Sequence, residues 1–140
     1  MSLERTFNND SRTARFVVIE NGSIDAWNGI PPALLSSTLG AMVDYVRAED
    51  RVPVLTGPSN VAQFPGSFLP VLGAAGRAQF EVEVKKLAVD KHVAFADWGS
   101  VEFEGAADVP DGIHPRTAYS ERLALRLAET LDMLAPECAP

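Results

Sequence analysis

The chain is poor in cysteine, histidine and positive charge, and each shortage removes a class of function. One cysteine in 140 residues, Cys138, cannot close an internal disulfide. Two histidines leave little for an imidazole-rich metal centre. Twelve Lys and Arg against nineteen Asp and Glu give a net charge of −7, which argues against a nucleic-acid groove or an anionic membrane surface, since both reward clustered cations. No apolar run reaches the length of a membrane span, and no charged-then-apolar leader opens the chain. Internal repeats and low-complexity segments are absent as well.

What is there is ordinary globular composition, 46% hydrophobic and 22% charged, in a length that suits one domain, residues 1–140. "RFVVIENG" is a β-branched run closed by Asn-Gly, predicted as a strand over 15–20. Leu35, Leu39, Met42, Val43 and Val46 then recur at helical spacing, with Pro31 and Pro32 suited to the first turn. "VPVLTGPSN" predicts a second strand over 52–57, and residues 61–76, rich in Gly and Pro, read as loop with at most a short helical turn. "AQFEVEVKKLAVDK" fits two periods. Phe80, Val82 and Val84 alternate as in a strand, whereas Phe80, Val84, Leu87 and Ala88 form a helical stripe; length and the paired lysines favour helix. "HVAFADW" predicts a third strand over 92–97, and Leu123, Leu127, Leu131 and Leu134 predict a helix from about 116 to 134.

The order β-α-β-α-β-α implies a parallel sheet between layers of helix, with ligand chemistry at the carboxyl ends of the strands. Three loops lie there: "ENGSIDAW", "TGPSNVAQF" and "DWGSVEFEGAADVPDGIHP". In the third, Asp111 and His114 stand three apart in a turn primed by Gly112. That spacing can put a carboxylate on one imidazole nitrogen and leave the other as a base. The plainer reading is that Asp111 caps a turn and His114 caps the final helix, with Pro115 in its first turn. A metal site from Asp108, Asp111 and His114 is disfavoured, because His92 falls at the amino end of its strand. Trp27 and Trp98 follow strand ends and receive no role.

"DGIHP" between a last strand and a C-terminal amphipathic helix resembles the final block of the SGNH (GDSL-type) hydrolases. "RTAYSERLA" is similar to that family's helix start, with Tyr119 where glycine is common, and "FVVIENGSIDAW" is similar to its third block. The resemblance runs from about Arg15 onward. It implies a three-layer α/β/α fold of flavodoxin-like SGNH type, incomplete at about three strands, and acyl-ester hydrolysis with His114 and Asp111 catalytic and no cofactor or metal. It also implies an oxyanion and substrate loop at Gly22, Ser23 and Asp25.

Three departures accompany it. Ile24 stands where the family has the asparagine that donates to the oxyanion; Asn21 and Asn28 are the available substitutes. The Gly-Asp-Ser block is missing from its place: Ser11 in "NNDSRT" echoes it but precedes the strand at 15–20 with too little chain for the intervening elements, and Ser59 in "GPSN" reads as a turn. The second block has no counterpart. The expectation is therefore a truncated or degenerate serine esterase, acting on a small acyl ester and weak or inactive alone. The alternative is a non-catalytic binding or partner module derived from that fold. Either a missing N-terminal segment or a homo-oligomer would cover the strand at 15–20, whose apolar edge otherwise meets water.

Overall fold

A computed structural model of the protein describes residues 13–140. Ser11, the weak nucleophile candidate, lies outside the described residues. The chain alternates strand and helix: β1 (Phe16–Ile19), a short α1 (Ser23–Trp27), α2 (Pro32–Ala48), β2 (Val52–Thr56), α3 (Gly73–Asp90), β3 (Ala94–Ala96) and α4 (Thr117–Leu134). The strands make one parallel sheet in the order β1-β2-β3, with Phe16 opposite Val52 and Val54 opposite Ala94. Among the described residues β1 pairs only with β2, so its other side is a sheet edge.

Each face of the sheet has its own core. On one, Val17, Ile19 and Leu55 pack against Leu39, Met42, Val43 and Val46 of α2 and Phe80, Val84 and Leu87 of α3. On the other, Ala96 and Val109 pack with Tyr119 and Leu123 of α4 and with Trp98. This is the three-layer α/β/α arrangement, with three strands among the described residues.

The ambiguous segment is helix because burial follows the 3.6-residue period. Phe80, Val84, Leu87 and Ala88 are buried while Val82 is 65% exposed, the reverse of what a half-buried strand requires. That helix also starts earlier than its composition predicts, at Gly73 inside the expected loop. The glycines there serve packing. A Cβ on Gly76 would run into the carbonyl of Ala26, so α3 can lie against α1 only if residue 76 has no side chain. Gly76→Ala is accordingly expected to cost about 1–3 kcal/mol, measured as a lower urea midpoint. An unchanged midpoint would mean the two helices part without cost.

Two further boundaries differ from expectation. Residues 23–27, expected as loop, form α1, whose entry is Gly22 at φ 102. β3 is three residues long, not six, because His92 takes φ 54 and Val93 donates back to the Ala88 carbonyl, which spends those residues on ending α3. On α4 the leucine stripe is buried at Leu123 and only half-buried at Leu127, Leu131 and Leu134. The cover over that helix thins toward its carboxyl end.

Candidate active site

The turn that carries Asp111 and His114 is built on Gly112. It sits at φ 92, and a Cβ there would lie 2.7 Å from the Ala62 carbonyl oxygen, so both backbone conformation and space call for glycine. The Gly112 carbonyl accepts from the Ala62 N–H at 3.0 Å, and the Asp111 carbonyl from the Phe68 N–H at 2.6 Å. Below the turn, Asp108 is held by Arg122 at 2.6 Å and by the Glu104 N–H at 2.8 Å. Its carboxylate is a strut between α4 and the preceding loop.

Within this frame one carboxylate does two things. Asp111 Oδ1 accepts the backbone N–H groups of Ile113 (2.9 Å) and His114 (2.7 Å), closing the turn. Its Oδ2 lies 2.6 Å from His114 Nδ1. The turn-capping and histidine-orienting readings of Asp111 are thus both true, because the two oxygens are divided between them. His114 does not cap the final helix. That position belongs to Arg116, which leaves Pro115 ahead of the first helical turn and not within it. These backbone N–H groups and the imidazole hold the Asp111 carboxyl down at about 2, against 3.8 for the free group.

A depressed carboxyl stabilises the fold only while ionised. The contribution is full above about pH 4 and is lost as pH falls through about 2. An acid titration of Asp111→Asn should therefore lack one transition in that window. A profile identical to that of the parent chain would show that the carboxylate contacts do not form in solution.

His114 borders a cavity of about 730 Å³. The β1 carboxyl end supplies Glu20 and Asn21, the loop and α1 supply Gly22, Ser23, Ile24 and Asp25, and Ser59, Trp98 and Leu123 reach it from other elements. The structure therefore brings His114 together with the expected loop residues Gly22, Ser23 and Asp25. Ile24, 67% exposed, lines the same space, and the Asn28 amide is engaged with the Ile24 carbonyl at 2.8 Å. No described serine hydrogen-bonds to His114.

Two contributors had no strong sequence signal. Arg77 is buried, and its guanidinium donates to the carbonyls of Pro58 (2.9 Å) and Ser59 (3.0 Å) and to Glu81 (2.6 Å), which fixes the loop after β2. Tyr119, fully buried, accepts the Asn60 N–H at 2.9 Å and pins the same loop from α4. Burial pushes its phenol above the ordinary value. The sequence offers only the i,i+4 spacing of Arg77 and Glu81 for the first, and for the second a tyrosine where the resembling family commonly has glycine.

Parallel sheet, two helical layers and an Asp-His pair on the loop after the last strand place the chain in the fold class of SGNH-type ester hydrolases, matching their C-terminal part. The structural likenesses are specific. TesA superimposes at a TM-score of 0.64 with 28% identity, covering 86% of this chain and 63% of that one. The aryl esterase of M. smegmatis gives 0.78 at 21% identity, over 94% of this chain and 66% of its own. A catalytic mutant of Axe2, an acetylxylan esterase from Geobacillus stearothermophilus, gives 0.70 at 18% identity, over 84% and 59%. The chain thus spans less than two thirds of each. No protein-family model and no curated protein matches it.

Proposed function

We propose that this chain carries the histidine-aspartate half of a serine-type carboxylic ester hydrolase. The observation behind the reading is the 2.6 Å contact between Asp111 Oδ2 and His114 Nδ1 at the edge of a cavity. With Nδ1–H donating to the carboxylate, Nε2 carries the lone pair and acts as the base. Nε2 takes the proton of a serine hydroxyl as its oxygen attacks the ester carbonyl. The alcohol leaves with that proton; water then attacks the acyl-enzyme, giving its proton to Nε2, which returns it to the serine oxygen as the carboxylic acid departs. In this reading the serine is supplied from outside this chain, by a segment that would cover the β1 edge, whose carboxyl end opens on the cavity.

The oxyanion is the weak point. With Ile24 at the donor position and the Asn28 amide donating to the Ile24 carbonyl, the family's donor is lost unless Asn21, which lines the cavity, replaces it. Such a loss costs about 3 kcal/mol of transition-state stabilisation, on the order of a hundredfold in rate.

The 140-residue chain by itself is therefore expected to hydrolyse p-nitrophenyl acetate weakly or not at all, and any residual turnover should vanish in His114→Ala. Turnover that survives His114→Ala ends the hydrolase reading and leaves the non-catalytic module. Activity near that of an intact esterase, abolished by Ser11→Ala, would instead identify Ser11 as the nucleophile and overturn the external serine.

A further inference from the structure

The lining of the His114 cavity is one-sided in charge. Its described residues include two carboxylates, Glu20 and Asp25, and no lysine or arginine. The arginines that border these loops are turned elsewhere: Arg77 to the Pro58 and Ser59 carbonyls and Glu81, Arg122 to Asp108, and Arg126 to the Asp97 carbonyl and Ser100. No described cation pairs with Glu20 or Asp25. The remaining wall includes two indoles, Trp27 and Trp98, beside Leu123 and Leu127.

We propose that the substrate of this site is a small ester bearing a quaternary alkylammonium group, and that Glu20 and Asp25 select it by charge against anionic esters. A quaternary alkylammonium has no N–H groups and is weakly hydrated, so it gives up little hydration on entering an apolar, indole-lined space, and aromatic rings attract it further. Both carboxylates border one cavity, so they add their attraction for a cation and their repulsion of an anion, each screened over about 8 Å at physiological salt. Burial pushes the Glu20 carboxyl up by desolvation, a penalty that a bound cation would relieve. The word ester rests on the hydrolase reading above; the charge selection does not.

The test is an NMR titration of the full chain, following the two Trp indole N–H signals, with three acetate esters of similar size. These are acetylcholine, its uncharged isostere 3,3-dimethylbutyl acetate, and the anionic 3-acetoxypropanesulfonate. Acetylcholine should bind roughly tenfold more tightly than the uncharged ester, and the sulfonate more weakly than either. The gap should narrow in added salt for the unmodified chain and fall to about threefold or less in the Glu20→Gln, Asp25→Asn variant. Equal affinities, a preference for the sulfonate, indole signals that respond to none of the three, or a gap that persists in both salt and the double variant would each overturn the proposal. His114→Ala separates the two readings. A ranking retained there, together with ester turnover that survives His114→Ala, sinks the hydrolase and keeps the charge selection. Hydrolysis that depends on His114 without any ranking does the opposite.

Discussion

Tyr119→Ala is expected to remove about 3–5 kcal/mol of stability, the cost of deleting a large aromatic from a packed core. Tyr119 is fully buried, its ring centroid is 5.2 Å from that of Phe103, and its hydroxyl holds the Asn60 N–H at 2.9 Å. A domain of this size is stable by roughly 5–15 kcal/mol, so the variant should lose about a fifth or more of its stability. Tyr119→Phe keeps the ring and leaves only one N–H without its partner, which should cost about 1 kcal/mol. Urea denaturation followed by circular dichroism separates the two. Equal midpoints for the two variants would show that the hydroxyl, and not the ring, carries the contribution.

Asp111→Asn is expected to lower any turnover this site supports by about 10²–10⁴-fold while leaving the fold intact. The asparagine carbonyl can still accept the Ile113 and His114 N–H groups, now at 2.9 and 2.7 Å, so the turn survives. Its amide would face Nδ1 as a donor, in place of a carboxylate acceptor at 2.6 Å. The imidazole then presents Nδ1 as its lone pair and moves its proton to Nε2, the nitrogen that has to act as base. Nitrogen-15 NMR of His114 should show the proton on Nδ1 in the parent chain and on Nε2 in the variant. The same tautomer in both would mean that Asp111 serves the turn alone.

Much of the site could be read in advance because it is local. Asp111, Gly112 and His114 lie within four residues, and a glycine turn fixes their relative geometry without help from distant chain. That Gly22, Ser23 and Asp25 border the same cavity as His114 has a related reason, although Ser23–Trp27 form α1 and not a loop. In a parallel βα sheet the carboxyl end of every strand opens on the same side. The division of Asp111 between turn and imidazole was beyond sequence, since spacing gives reach and not which oxygen meets which partner.

The order of strands and helices, the parallel sheet, the helical stripe of α4 and the Asp-His pairing were set by the sequence itself, through periodicity and short-range turn chemistry. The tertiary structure decided what depends on segments far apart in the chain. The start of α3 at Gly73 follows from α3 and α1 meeting at Gly76 and Ala26, fifty residues apart. Arg77 on the loop after β2, Tyr119 on Asn60 and the carboxylates facing the His114 cavity are likewise contacts between distant segments. A side chain's local pattern records which face of its element it occupies. Which backbone it touches across the core is settled only when the layers close on each other, because packing fills space without regard to sequence distance.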